Sequence, residues 1–448
     1  MKYLELDGLS KIGIGTYRMS AQNPDHCKAF EYAMNSGCNL ADTAVNYNQG
    51  KAEEMIGNWH HENPGKPCFI ISKAGYVNIK DRSFLKKLQA SKSTAVPLVA
   101  RSGDIDHCIH PDYLQKKIRQ SLRRLRRKWL DGFLLHNPEY FLLANPDIEY
   151  KTVFYDRIKQ AFAFLEECVH KGIIRYYGIS SNTLALFNEP AAISLPQLIN
   201  IAGEVDANNK FRLVQFPFNF AENSALDAHY DGLNLLQLAH AHNLVVFSNR
   251  PLNLHAANSF IRLGAHAQPL SADEERHAEN NFTRFIELID KKLSEMSAGC
   301  AAFDLEVMQH LKNNWKRMGN PAAIDVMFHN FLQPLLNTLF GDTLPDHSWV
   351  GGSMTEQETK IIEDLYHSCL KYAEITMAKN SQAYVHEMVQ KGILDENETR
   401  PIPVQACSAY LQSGIDHVLA GMRKTTYVDE LKILFNGVPK NNRAQLEI

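Results

Sequence analysis

The sequence predicts an α/β chain folded as a (β/α)8 barrel, with a helical insertion between the seventh and eighth strands. Three observations carry this prediction. Short apolar runs alternate with amphipathic segments at an even pace from Ile12 to Ser248, the pattern of repeated parallel β/α units rather than of a sandwich. Successive runs end on residues able to do chemistry, Asp42, Lys73 and His136. Strand tips of a barrel converge on one face, so these side chains and Tyr47, from the loop after Asp42, can share a pocket. The alternation then stops near Pro251, gives way to helical periodicity, and resumes near Val404.

In chain order, Ile12-Gly13-Ile14-Gly15-Thr16 reads as the first strand, its glycines permitting close approach of a cofactor or backbone. Pro24 opens a helix to about Ser36, with Gly37 as its stop. Cys38 to Ala41 is a buried strand ending on Asp42, and a polar loop then presents Tyr47. Lys51 to Trp59 is a helix with Ala52, Met55, Ile56 and Trp59 on one face. Phe69 to Ser72 runs into Lys73, and a long mixed loop fills 74–110, on the face where barrel loops gate or select substrate. Pro111 to Lys128 is a helix with Leu114, Ile118, Leu122 and Leu125 at helical spacing, and Phe133 to Leu135 leads into His136. Ile158 to His170 is a helix ended by Gly172; Ile173 to Ile179 is the fifth strand, delivering Ser181 and Asn182. Arg212 to Phe216 is the sixth strand, carrying Gln215; Leu233 to His242 is a helix and Leu244 to Ser248 the seventh strand.

From about 270 to 395 the spacing is helical, as in Phe282, Phe285, Ile286, Ile289 and Leu293, or Phe303, Val307, Leu311 and Trp315. Thr355 and Glu358 form a capping-box pattern, and Gly351-Gly352 reads as a turn. Val404 to Leu411 is a helix and Asp416 to Ala420 the eighth strand. The barrel is thus expected over 1–255 and 400–448, a TIM-type architecture, and the insertion over 256–399.

At 448 residues and 45% hydrophobic the chain can bury a large core, and it exceeds one typical barrel of ~250 residues. A net charge of -3 gives no global field favouring nucleic acid or anionic membrane. No apolar run is long enough to span a bilayer, and Met1 to Ser20 has no long apolar h-region. Eight scattered cysteines without a C-x-x-C read as reduced thiols, so a cytoplasmic protein is expected. The basic cluster Arg119, Arg123, Arg124, Arg126, Arg127 and Lys128 reads as a solvated helix face; no aromatic residues interleave to stack bases. His107-x-x-His110 and His60-His61 lack partners at ligand spacing, so no metal is expected.

Ala41-Asp42-Thr43-Ala44-Val45-Asn46-Tyr47, with Glu53-Glu54-Met55-Ile56-Gly57 after it, resembles a signature of the aldo-keto reductases. Ser72-Lys73, Asp131-Gly132-Phe133-Leu134-Leu135-His136, Gly178-Ile179-Ser180-Ser181-Asn182, Val214-Gln215 and Gly421-Met422-Arg423 follow in the family's order and spacing. The resemblance covers roughly residues 10 to 255 and 400 to 435. It implies an NADP(H)-dependent oxidoreductase that reversibly reduces an aldehyde, ketone or sugar. Tyr47 is then the proton donor, Lys73 and Asp42 support it, and His136 guides the carbonyl.

Chemistry gives these four residues matching work. A free tyrosine has a pKa near ~10 and is a sluggish acid at neutral pH. A lysine beside Tyr47 is expected to pull that pKa down, with Asp42 fixing the lysine. A neutral His136 would polarise the substrate oxygen. The resemblance further implies that Ser181, Asn182 and Gln215 bond the nicotinamide carboxamide and that Phe247 stacks on its ring. Ser248 to Leu252 is the expected pyrophosphate loop, where Arg250 adds a phosphate contact. Gly15 and Thr16 line the cofactor, and Gly421, Arg423, Lys424 and Tyr427 follow strand eight at an anion site, favouring NADP over NAD. The partner is a small carbonyl, alcohol or sugar. The alternative is an NADP-binding scaffold or sensor of the same fold, acting through a partner docked on the helical insertion; that insertion is a lid, a structural cap or a docking surface.

Overall fold

Eight parallel strands close into a barrel in a computed structural model of the chain, which describes residues 4–92, 98–103, 105–147, 149–256, 259–265, 267–295, 302–340 and 354–438. They are β1 (Ile12–Gly15), β2 (Leu40–Asp42), β3 (Phe69–Ala74), β4 (Leu130–His136), β5 (Ile174–Ser180), β6 (Phe211–Pro217), β7 (Val245–Asn249) and β8 (His417–Ala420). Each pairs with the next, and β8 closes on β1 through Ile12↔Val418 and Ile14↔Ala420. Every residue of β3 and β4 is buried, because helices cover one side and the barrel core the other. One end of the lumen is filled by Leu9, Leu40, Phe69, Ile71, Leu134, Leu213, Phe247 and Leu419. The other end, where the strands finish, is left for polar side chains.

The outer helices are α1 (Pro24–Asn35), α2 (Lys51–Glu62), α3 (Pro111–Arg124), α4 (Tyr150–His170), α5 (Leu195–Val205), α6 (Leu235–Ala241), α7 (Ile402–Gln412) and α8 (Thr425–Leu431). Their starts follow local chemistry. Asn23 caps α1 by accepting from the amides of Asp25 and His26, with Pro24 at the first position. Asn234 and Gln237 form a reciprocal capping box on α6. Gly57 lets α2 lie against the last turn of α3, since a Cβ there would overlap the Arg124 carbonyl.

Several expectations need correction. The helix expected to reach Lys128 stops at Arg124, and Arg126, at φ 53, turns the chain in a left-handed conformation. Its basic residues are not all solvated: Arg124 bonds Glu53 at 2.9 Å and the Val45 carbonyl at 3.2 Å, and Arg127 bonds Asp131 at 2.6 Å. The helix expected from Ile158 begins at Tyr150. The stretch 74–110 is not a plain loop, because it contains a helix, Arg82–Lys92, and an antiparallel hairpin, Ala100–Ser102 with Ile105–His107. That helix is tethered through Asp81, which accepts from buried Lys117 and, at 2.7 Å, from Lys116. The turn expected at Gly351-Gly352 lies outside the described residues.

The chain divides into two compact units, Met1–Leu252 with Asn397–Ile448, and Asn253–Glu396. The second opens with a hairpin, Asn253–Ala256 paired to Ser259–Arg262, and continues as helices Ala272–Glu295, Ala302–Asn314, Pro321–Val326, Gln333–Phe340 and Glu356–Gln390. Phe285, Ile289, Leu311, Ile324, Phe328, Leu336 and Ile362 form its core, and Phe282 stacks on Trp315 at 4.7 Å. Thr355 and Glu358 make a reciprocal capping box at the start of the longest helix.

Candidate active site

Asp42 ends β2, Lys73 stands one residue before the end of β3, and His136 ends β4. These positions bring their side chains to one end of the lumen. Lys73 Nζ donates to Asp42 Oδ1 at 2.5 Å and to the Thr43 carbonyl at 2.9 Å. The same Asp42 oxygen accepts from Gln215 Nε2 at 2.8 Å, and Gln215 Oε1 accepts from Ser180 Oγ at 2.8 Å. Tyr47 follows in a tight turn in which Asn48 and Gln49 take left-handed φ values of 44 and 55. Asn48 Nδ2 holds that turn to the Met19 carbonyl at 2.7 Å. The turn is also anchored through Val45, whose carbonyl accepts from Arg124, while Glu53 accepts from both Arg124 and Ser72.

Lys73 Nζ lies 5.0 Å from the centroid of the Tyr47 ring. The His136 ring meets Tyr47 edge-on at 5.9 Å and Tyr76 edge-on at 4.9 Å. Tyr17 packs edge-on against Tyr47 at 5.1 Å, on the more open side. Behind His136, His107 Nε2 lies 2.7 Å from the His136 carbonyl, which can only accept, so that nitrogen carries the proton. A side chain at Gly75 would overlap both groups, which is why glycine follows β3 here.

The electrostatics differ from the sequence expectation at one point. Burial, then Asp42, Tyr17 and Tyr76, hold the Tyr47 hydroxyl well above its ordinary pKa, rather than the lysine drawing it down. Burial lowers the Lys73 ammonium, an effect Asp42 opposes. Burial, helped by Lys73 and His107, holds His136 well below its usual value, so its imidazole is neutral. The His136 Nδ1 atom is buried and has no hydrogen-bond partner among the described residues. The pocket therefore offers a protonated phenol, a buried cation and a neutral imidazole around one point.

The expected cofactor residues lie at the ends of β1, β5, β6, β7 and β8, but not all of them face outward. Ser181 is buried, its Oγ accepting from the Thr183 amide at 3.1 Å, and Asn182 is exposed. Gln215 uses both ends of its amide inside the barrel, and Thr16 Oγ1 donates to the Asp42 carbonyl at 2.9 Å. Gly15 meets only ordinary contacts, and Gly421 opens on empty space. Phe247 does not reach the rim: it is wholly buried and stacks on His417 at 5.1 Å. Two residues further along the same strand face, Asn249 lies beside Gln215 at 3.4 Å, at the height where Phe247 was expected. Ser248 Oγ is buried and unpartnered among the described residues, and Leu252 is half-buried. Arg250, at φ 54, pairs with Glu222 at 2.9 Å and donates to Asn182 Oδ1 at 3.4 Å, which ties together the loops after β5, β6 and β7. After β8, Arg423 and Tyr427 are half-buried and Lys424 exposed; Arg423 lies close enough to His26 to lower its pKa, an effect second to burial.

The sequence model of the aldo/keto reductase family matches residues 11–320. The chain belongs to the aldo/keto reductase family. It is 25% identical over 173 residues to an uncharacterized oxidoreductase, YqkF, of Bacillus subtilis, a match covering 39% of this chain and 45% of the relative. It is likewise 25% identical over 163 residues to the aldo-keto reductase yakc [NADP(+)] of Schizosaccharomyces pombe, covering 36% of this chain and 38% of that one. The chain thus matches less than half the length of these curated relatives. The aldo-keto reductase AKR11C1 from Bacillus halodurans, in its holo form, aligns over 100% of this chain and 94% of its own, with 14% identity and a TM-score of 0.48.

Within this aldo/keto reductase, Glu139 and Tyr76 were not singled out from the sequence, His107 was weighed only as a metal ligand, and Asn249 only as part of the pyrophosphate loop. Tyr76 and His107 come from the stretch read as a loop, and only their position beside His136 marks them. Glu139 follows His136 by three residues, and its buried carboxylate gives no sequence signal. The structure also gathers Glu166, His170 and Asp206 where α4 and α5 end, a set the spacing did not reveal. Glu166 there accepts from the Lys210 amide at 2.9 Å, a structural task.

Proposed function

We propose that this aldo/keto reductase is an NADP(H)-dependent carbonyl reductase, working reversibly on an aldehyde, ketone or sugar. The observation that carries this reading is that Asp42, Lys73, Tyr47 and His136 meet in one water-poor pocket. The donor set fits a dinucleotide. Ser181 and Asn182 suit an amide, and Gly15 and Gly421 leave room for close approach. Arg423 and Lys424 suit a phosphate, which favours NADP. Bound there, the cofactor supplies the hydride that reduces a carbonyl carbon.

The chain's own residues handle the proton and the charge. As the carbonyl oxygen becomes alkoxide-like, its basicity exceeds that of a phenolate, so Tyr47 gives up its proton even from a raised pKa. A high pKa keeps that proton in place across the neutral range. The phenolate left behind faces Lys73, whose charge is held in place by Asp42. Neutral His136 donates to the same oxygen and fixes its direction. In alcohol oxidation each residue reverses its part. Screening aldehydes, ketones and sugars by NADPH absorbance tests this: turnover of at least one supports it, and inertness toward all three classes, with or without bound cofactor, contradicts it.

A further inference from the structure

We infer that Glu139 is a positioning residue for the nicotinamide end of the proposed cofactor site. It holds the Ser181–Asn182 turn through its carboxylate, so cofactor affinity follows the ionisation of this one side chain. This rests on the cofactor reading above. Glu139 Oε1 accepts from the Asn182 amide at 2.7 Å, from the loop after β4 to the loop after β5. The residue is 1% exposed, and its Oε2 is buried without a well-formed hydrogen bond among the described residues. The segment carrying it has little freedom. Asn137, at φ 49, donates its amide to the Ser180 carbonyl at 2.7 Å and its side chain to the Tyr76 hydroxyl at 2.7 Å.

A buried carboxylate held by neutral donors, with no ion-pair partner among the described residues, is a poor structural choice, since a glutamine would make the bond to the Asn182 amide at lower desolvation cost. Burial pushes Glu139 up to about 7, and the Asn182 amide, its own backbone and Ser181 only partly counter it. The groups facing it are Tyr76 after β3 and Ser181 and Asn182 after β5; Arg250 and Glu222 reach it only through the Asn182 side chain. Burial drives Tyr76 far upward and His136 far downward, out of the neutral range. Glu139 therefore changes charge where its neighbours do not. Ionised, it accepts a charge-assisted bond that fixes the Asn182 backbone; protonated, it accepts a weaker one.

The test is fluorescence titration of the whole protein with NADPH and NADH from about pH 5 to about pH 9. NADH lacks the 2′-phosphate, whose own ionisation near ~6 overlaps that of the glutamate. The expected result is that wild-type affinity for both cofactors rises about three- to tenfold as pH passes ~7, while Glu139→Gln stays flat at the weak, low-pH level. A wild type without a step, or a Glu139→Gln variant keeping it, overturns the role. So does a variant that loses only melting temperature and binds with the wild-type profile. Should the variant not fold, the wild-type NADH profile decides alone. A wild type that binds neither cofactor at any pH overturns the cofactor reading itself, a separate failure.

Discussion

Gln215 donates to Asp42 Oδ1 at 2.8 Å, linking β6 to β2 across the lumen, onto the same oxygen that receives Lys73. Gln215, expected from the sequence to contact the cofactor, also braces the buried ion pair. Asp42 and Lys73 are almost fully buried, and such a pair holds its geometry only when its remaining bonding capacity is met.

Gln215→Leu keeps the side-chain volume and removes its hydrogen bonds to Asp42, Ser180 and Asn249, leaving Ser180 Oγ without its acceptor. The expected loss is about 1–3 kcal/mol in denaturant unfolding. Turnover should fall roughly tenfold as Lys73 loses its fixed position. Unchanged stability and turnover would remove the bracing role.

Glu53 is wholly buried between Arg124 and Ser72, and the same arginine holds the Val45 carbonyl before Tyr47. Glu53→Ala strands a largely buried guanidinium, and about 3–5 kcal/mol of stability should be lost. Chemical denaturation measures it, and a loss below ~1 kcal/mol would show a pair of surface type.

His107 carries a pH prediction. Burial lowers its pKa to about 4 despite its bond to the His136 carbonyl. The unfolded chain, with an ordinary value near ~6.5, binds more protons between those limits, so stability rises with pH across this window. The contribution is complete above about pH 6.5 and is lost on acidification toward about 4, a total of roughly 3 kcal/mol. The melting temperature of wild type should fall relative to that of His107→Gln, which does not titrate, as pH drops from about 6.5 toward about 4; parallel curves refute the assignment.

Arg423→Ala should weaken NADPH by about 1.5–3 kcal/mol and leave NADH nearly untouched, because the proposed contact is to the 2′-phosphate. Fluorescence titration with both cofactors checks it, and equal losses reject it.

The barrel was legible because parallel strands buried on both sides write themselves as short apolar runs, and β3 and β4 are such runs throughout. The tips Asp42, Lys73 and His136 were legible for the same reason, each following directly from a run. Helix α5 went unassigned although Ser194, which accepts from the Gln197 amide, and Pro196 just after it are a start signal present in the sequence. The helix Arg82–Lys92 is harder to read, since its lysine- and serine-rich sequence is tethered by Asp81 contacts from α3. Tyr47 shows the limit most plainly. The spacing places a lysine near it, but Asp42, Tyr17, Tyr76 and burial, which set its pKa, come together only in the folded chain. Phe247 shows a related limit: one strand face carries both core and rim residues, and which is which depends on depth along the barrel.

In the proposed reaction Tyr47 gives the proton. Single-turnover reduction of a carbonyl substrate by Tyr47→Phe, with NADPH affinity measured in parallel, tests it most directly. The expected rate is lowered by roughly 10²- to 10⁴-fold, the usual worth of a positioned general acid, with cofactor affinity within about twofold of wild type. A near-normal rate would contradict it.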